Sequence, residues 1–325
     1  MRALMISEPG GLETLSIAAT TPPRPGRCQV LIRVEFAGLN FTDVLARRGA
    51  PGYADGWPFV PGMEVAGIVE AIGEEVDGLR VGERAVAFTY NGGGLAEYAI
   101  ADAVLTCSIP DELDSAQAAT IPLTWATAIG LVRRSHIGDG GTALVTSATG
   151  GVGQALASLL ARHGVTRVVA ASRAGKTAVA GTVPIVRDDR LTARAIEANE
   201  GQRFDAVFES IGGDTLASTL DALAPGGVLI SYGAAAGQPD PEPPRYRTLR
   251  GQNVAISGFS ILAMARTEPA AVRDLISSVI RLTAKGLVIP DPHQVSWSGL
   301  IASHLDQSEG VLRGKTVLAV KAHAS

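Results

Sequence analysis

The alternation of apolar and polar positions changes character near Pro122. Before it, short runs at Gln29–Glu35, Glu64–Ala71, Arg84–Thr89 and Ala96–Ala99 are separated by turns such as Pro22-Pro23-Arg24-Pro25-Gly26 and Asn91-Gly92-Gly93-Gly94. Runs of this kind predict strands joined by tight turns, and so a small barrel-like β domain poor in helix. After Pro122, apolar strands alternate with helical stretches: strand Thr142–Ser147, helix Gly153–His163, strand Arg167–Ala171, then strand, helix and strand at Phe204–Glu209, Thr215–Leu223 and Gly227–Tyr232. Strands apolar on both faces and linked by helices belong to a parallel sheet covered on both sides. Ala270–Ala284 reads as a further helix, with Val272, Leu275, Ile276, Val279 and Ile280 on one face. Beyond Pro290 a short strand, a helix and a final strand, Thr316–Val320, return to the style of the first region. The expected fold is α/β, with a β-rich start followed by a doubly wound parallel sheet.

Composition narrows the function class. A chain of 325 residues has room for two cores, and 46% hydrophobic with 18% charged residues suits a soluble protein. The 38 glycines gather in short turns, and the net charge of −4 comes without a basic block, so neither nucleic acid nor an anionic membrane is an expected partner. No apolar run reaches the ~18 to 20 residues needed to span a bilayer. Cys28 and Cys107 form no CxxC pair and no leader opens the chain, which predicts a cytoplasmic protein without disulfide staples.

The strongest chemical signal is Ala143-Leu144-Val145-Thr146-Ser147-Ala148-Thr149-Gly150-Gly151-Val152-Gly153-Gln154, a buried strand running through a glycine turn into a helix. Gly150 and Gly151 let the backbone approach a pyrophosphate, Gly153 allows helix and strand to pack closely, and the helix N-terminus attracts the anion. Ser147 stands where the GxGxxG pattern has its first glycine, so the signal rests on the strand and helix that flank the turn. This predicts a Rossmann domain. An NAD site places an acid about 20 residues further on. Here that region reads Ala170-Ala171-Ser172-Arg173-Ala174-Gly175-Lys176. A hydroxyl and two cations suit a 2′-phosphate, so Ser172, Arg173 and Lys176 predict NADPH; the alternative for Arg173 and Lys176 is a solvated surface pair.

The chain resembles the medium-chain dehydrogenase/reductase superfamily, in its zinc-independent quinone-oxidoreductase branch, over nearly all its length. The likeness is carried by Gly38–Asp43, Pro58–Gly67, Val81–Val86, Leu95–Tyr98, Ile121–Thr127, Ala148–Gly153, Phe204–Gly213, Leu223–Gly227 and Gly314–Leu318, in the expected order. It implies a GroES-like domain of 1–121 plus 286–325, closed by the C-terminal strand, around a Rossmann domain inserted at 122–285, with the active site in the cleft between them and a homodimer as the assembly. The segment Asn253–Ile261 is the candidate edge strand for pairing with a second copy.

In the superfamily's alcohol dehydrogenases, Cys, His and Cys hold a catalytic zinc and four cysteines a structural one. Asn40 stands at the first ligand position, Met63 replaces the His of the Gly-His-Glu motif, and residues 90–107 carry no cysteine lobe. His136, His163, His293, His304 and His323 are scattered and read as surface or helix residues, so no metal site is expected. By the resemblance, Asn40 bonds the substrate oxygen, its alternative being a loop or cap residue. Tyr53 donates a proton or hydrogen bond to the developing oxyanion, its alternative being a packing tyrosine. Thr127 holds the nicotinamide carboxamide. Ser147, Thr149, Gly150, Gly151, Val152 and Gly153 meet the pyrophosphate. Ser210, Ile211, Tyr232 and Gly233 line the cofactor at strand ends, and Gly314 and Lys315 close over it. Asp43 anchors its loop, Lys176 has a second candidate role as proton donor, and Arg187 aligns insecurely with the adenine site. Leu45 takes the place of a tyrosine common in relatives, which leaves room for a bulky apolar substrate.

Without a Lewis acid nothing stabilises an alkoxide, whereas a conjugated acceptor delocalises the arriving charge itself. The expected reaction therefore carries hydride from NADPH to a small electron-poor substrate, a quinone or an α,β-unsaturated carbonyl compound. The alternatives are an enoyl-thioester reductase of lipid or polyketide type and a non-catalytic NADPH-binding protein.

Overall fold

The computed structural model describes residues 1–176 and 179–321. The chain divides into two compact units, Met1–Ala126 with Ile261–Ser325, and Thr127–Ser260.

The first unit is built on a seven-stranded sheet whose centre is the long strand Gln29–Leu39. It pairs antiparallel with Glu64–Ile72 on one side and with Thr316–Ala319, near the far end of the sequence, on the other. The registers Ala37↔Val65 and Thr316↔Leu39 bring three distant positions to one end of this sheet: Asn40, Glu64 and Lys315. Leu4, Ile6, Val30, Ile32, Val65, Val69, Leu95 and Leu318 fill the core beneath it.

The helix Pro269–Thr283 also belongs to this first unit. Its buried face, Val272, Leu275, Ile276 and Val279, packs near the turn Ala103–Leu105 and the strand Thr106–Ser108, and Arg273 donates to the carbonyls of Ala103 and Thr106, both at 3.0 Å. The boundaries expected at 121/122 and 285/286 therefore fall at 126/127 and 260/261. Apolar periodicity finds such a helix but does not say which sheet it covers.

The second unit is a six-stranded parallel sheet in the order Val183–Val186, Arg167–Ser172, Thr142–Val145, Phe204–Glu209, Leu223–Ser231, Ala255–Gly258. The chain winds outward from Thr142–Val145 in one direction and then from Phe204–Glu209 in the other. These two neighbours form the switch point, and an open α/β sheet binds ligands beyond the carboxyl ends of such strands. The edge strand Ala255–Gly258 lies inside the expected 253–261 segment, with Ile256 exposed. Among the described residues no helix is long and apolar enough to cross a membrane.

Candidate active site

The second unit's site grows from the switch point. Strand Thr142–Val145 ends in the turn Thr146–Gly150, and the helix Gly151–Arg162 starts directly behind it. Gly150 is the N-cap in an extended conformation and brings no side chain to the first-turn N–H groups, which leaves them to an anion. Gly153 is buried, and a Cβ there would lie 2.3 Å from the Ser147 carbonyl oxygen and 2.6 Å from the Ala148 Cα. Only glycine allows the helix to sit this close to the turn. Ser147, Thr149, Gly150, Gly151 and Val152 are all half-buried around it.

On the neighbouring strand end, Glu209 is fully buried. Its carboxylate accepts the Ile211 and Gly212 N–H groups at 2.7 and 3.0 Å and the Thr146 hydroxyl at 3.3 Å. Burial pushes the carboxyl above its ordinary value, and these hydrogen bonds pull it back. Glu209 thus ties the turn carrying Ser210 and Ile211 to the strand that leads into Ser147. Tyr232 donates its backbone N–H to the Glu209 carbonyl, and burial pushes its phenol up to about 12. Gly233 is exposed beyond it.

Ser172 ends the strand Arg167–Ser172, and Arg173 and Lys176 follow it, with Lys176 N–H donating to the Arg173 carbonyl. The structure adds Arg187, whose N–H donates to the Ser172 carbonyl at 2.8 Å. Burial lowers the basicity of its guanidinium, and the charge of Arg173 lowers it further. Two guanidinium groups repelling one another beside a strand end suit an anion.

The first unit collects a different network. Glu64 is fully buried, and the space its side chain fills exists because residue 38 is glycine: a Cβ there would lie 2.5 Å from Glu64 Oε1. The carboxylate accepts the N–H groups of Leu123 and Thr124 at 2.8 and 3.2 Å, the Thr124 hydroxyl at 3.1 Å and Asn40 Nδ2 at 3.0 Å, and pairs with Lys315 Nζ at 2.5 Å. Lys315 also donates to the Leu39 carbonyl at 2.7 Å and to Asn40 Oδ1 at 2.5 Å.

An ammonium has three N–H donors, and those of Lys315 go to Leu39, Asn40 and Glu64 inside the first unit. Asn40 is buried, its two amide hydrogens go to the Gly38 carbonyl and Glu64, and its amide oxygen receives Lys315. These partners hold the Asn40 side chain at the start of the helix Phe41–Arg47. Gly314 precedes Lys315 with φ of 64°, a left-handed turn that aims the lysine inward.

The same residues do not suit zinc. At the positions of the first two ligands stand an amide already bonded to an ammonium and the thioether of Met63, and zinc takes thiolate, imidazole or carboxylate donors. Among the described residues no group of three His, Cys, Asp or Glu side chains could hold a metal ion. His323 lies outside the described residues.

Asp43 reaches back to the Asn40 N–H at 2.8 Å and across to the Gly62 N–H at 2.9 Å. It is buried, and desolvation pushes its carboxyl up to about 6. Tyr53 is half-buried at the margin of the first unit's core, and burial raises its phenol above the ordinary value. Thr127 is buried two residues beyond the π-helical turn Ile121–Trp125. Glu64 and Glu209 escaped the sequence reading as site residues. Their signal was a carboxylate at the terminus of a largely apolar strand, a position where an ionised side chain needs buried partners.

Residues 26–111 match the alcohol dehydrogenase GroES-like domain, and residues 151–278 match the zinc-binding dehydrogenase family. A probable quinone oxidoreductase of Schizosaccharomyces pombe is 31% identical over 76% of this chain and 76% of its own length. A mycocerosic acid synthase-like polyketide synthase of Mycobacterium tuberculosis is 33% identical over 90% of this chain, which spans 14% of that protein. Among solved structures, a mycobacterial protein in complex with NADPH superposes with a TM-score of 0.87 at 28% identity, covering 98% of this chain and 100% of that one.

Proposed function

The chain belongs to the medium-chain dehydrogenase/reductase superfamily, in its quinone-oxidoreductase-like branch, and from that premise we propose that it is an NADPH-dependent, zinc-independent reductase of quinones or α,β-unsaturated carbonyl compounds. The observation that carries the cofactor is the uncapped helix N-terminus over Gly153, with Arg173 and Arg187 gathered beyond the next strands. Bound there, NADPH supplies the reducing equivalent as hydride. The turn Ser147–Gly153 holds the pyrophosphate with backbone N–H groups. Ser172, Arg173, Lys176 and Arg187 take the 2′-phosphate. Thr127 holds the nicotinamide carboxamide, with Ser210, Ile211, Tyr232 and Gly233 beside it. On the substrate side Tyr53 is the donor: its raised phenol keeps its proton at neutral pH and can pass it to a developing enolate or hydroquinone oxygen. The chain works as a homodimer through the edge strand Ala255–Gly258.

A second reading has its own support. The likeness to a polyketide synthase runs over 90% of the chain, and Leu45 is half-buried where many relatives carry tyrosine. An enoyl thioester is reduced by the same hydride chemistry. The test is kcat/KM for a quinone, an enone and an enoyl thioester with NADPH and with NADH. The proposal expects NADPH to be preferred and Arg173→Ala to abolish the preference. Equal use of NADH together with an unchanged Arg173→Ala enzyme overturns the cofactor assignment. Tight NADPH binding without turnover of any acceptor makes the protein a non-catalytic binder.

A further inference from the structure

We infer that Glu64, neutralised by Lys315, is a positioning residue for the nicotinamide end of the cofactor, because its carboxylate caps the helix that carries Thr127. This role rests on the NADPH reading above. The π-helical turn Ile121–Trp125 runs without interruption into the helix Ala126–Ser135. The first N–H groups of a helix lack partners within it. Here the side chain of the N-cap residue, Thr120, accepts none of them. Two of the first N–H groups, Leu123 and Thr124, instead donate to one oxygen of Glu64, a residue 59 and 60 positions away on a strand. A carboxylate at this end also meets the positive end of the helix dipole.

The wide π turn is held from two directions. Glu64 Oε2 takes the backbone, while Oε1 takes the Thr124 hydroxyl, so both the path of the turn and its rotation about the helix axis are fixed. Thr127 follows Thr124 at a spacing of three residues, on nearly the same helix face. A shift of the turn therefore moves Thr127 with it. Lys315 makes the arrangement tolerable inside the protein: a fully buried carboxylate without a cation is strongly disfavoured. Asn40 completes the hub, holding Glu64 through Nδ2 and Lys315 through Oδ1.

The test separates positioning from bare structural support by reading which face of the nicotinamide gives up its hydrogen. Glu64→Leu removes the acceptor of the Leu123 and Thr124 N–H groups, and Glu64→Leu/Lys315→Met does so without leaving a buried cation should the single variant fail to fold. Each is assayed with NADPH deuterated at either C4 position, alongside NADPH affinity by fluorescence. The expected result is a loss of up to about 100-fold in hydride transfer, the scale of a misplacement near 1 Å, with deuterium now leaving from both faces and affinity close to that of the wild type. Lys315→Arg, which keeps the cation, should retain single-face transfer. A folded Glu64 variant that transfers from one face at the wild-type rate overturns the inference alone. A wild-type protein that neither binds nor oxidises NADPH overturns the reading of function with it.

Discussion

Glu64 and Glu209 are both fully buried, and each accepts consecutive backbone N–H groups, Leu123 and Thr124 in the first unit and Ile211 and Gly212 in the second. The first touches an ammonium, that of Lys315. The second is held by hydrogen bonds, and the charge of Arg187 is the smallest of the influences on it. The same local device, a carboxylate under a helix-leading turn, is thus built once as an ion pair and once as a hydrogen-bonded group whose carboxyl is pushed up by burial. An ion pair makes a rigid anchor with a high penalty for losing one partner. A carboxylate held by dipoles leaves its neighbouring cation available to a ligand.

The largest effect is expected at the ion pair. Lys315→Met leaves Glu64 buried and charged, and should lower the free energy of unfolding by about 3–5 kcal/mol. Urea titration measures this, and Glu64→Gln/Lys315→Met should recover most of the loss. A single variant as stable as the wild type would mean that the two glutamates are held alike after all.

Much of this contrast lay beyond the reach of the sequence. The strand–turn–helix at 142–162 was legible because glycine spacing and apolar periodicity are local signals. The helix Gly151–Arg162 begins two residues earlier than expected, since the helical path starts as soon as Gly150 leaves its extended conformation. The Asn40–Glu64–Lys315 hub was not legible. Its members are brought together by strand pairing across more than two hundred residues, and nothing in the spacing of Asn40 and Lys315 announces that the final strand lies beside Gln29–Leu39. Both residues drew attention through their motifs, and the strand pairing adds Glu64 as their common partner. Arg187 stayed ambiguous because its place depends on the strand Val183–Val186 lying next to Arg167–Ser172.

A second test sharpens the comparison by asking whether the first unit is otherwise insensitive to pH. Asp43 lies in the fields of Lys315 and Glu64, and burial raises its carboxyl from 3.8 to about 6. His304, buried on the helix Leu300–Glu309, is lowered from 6.5 to about 4 by burial and by Arg47, with Arg48 adding to the effect. Neither ring nitrogen has a hydrogen-bond partner, although the backbone of Asp43 lies close enough to favour the charged ring slightly. The signs oppose. Between pH 4 and 6.5 the unfolded chain binds the His304 proton and the folded chain does not, so this residue makes stability rise with pH. Between pH 3.8 and 6 the folded chain binds the Asp43 proton more readily, so that residue makes stability fall. The contributions of these two residues should nearly cancel between about pH 4 and 6. His304→Asn should expose the downward slope and Asp43→Asn the upward one, each on the order of 3 kcal/mol across the window. Equal slopes in all three proteins would show that this pair does not set the pH response.

On the other side of the comparison, Glu209→Gln should cost about 1–3 kcal/mol, the penalty for leaving one buried N–H without an acceptor. The amide oxygen can take Ile211 or Gly212, not both. Thermal unfolding of the variant beside Lys315→Met ranks the two carboxylates directly, and a larger loss for Glu209→Gln would invert the ranking.

The smallest effect decides whether the cation near Glu209 belongs to the ligand. If Arg187 served mainly to neutralise Glu209, Arg187→Ala would destabilise the fold and treat both dinucleotides alike. The order of influences points the other way: burial and the charge of Arg173 act on Arg187 more strongly than Glu209 does, and its backbone is tied to Ser172. A half-buried guanidinium crowded by a second one gains most from a doubly charged phosphate, which both planar groups can grip. Arg187→Ala should therefore leave the unfolding midpoint almost unchanged and weaken NADPH about tenfold, or near 1.4 kcal/mol, while NADH binding stays as it was. Titrating both dinucleotides into the wild type, Arg173→Ala and the double variant completes the measurement. Losses from the two single variants that exceed or fall short of the double-variant loss would show that the two guanidinium groups act on one phosphate, because contacts to a shared partner do not add.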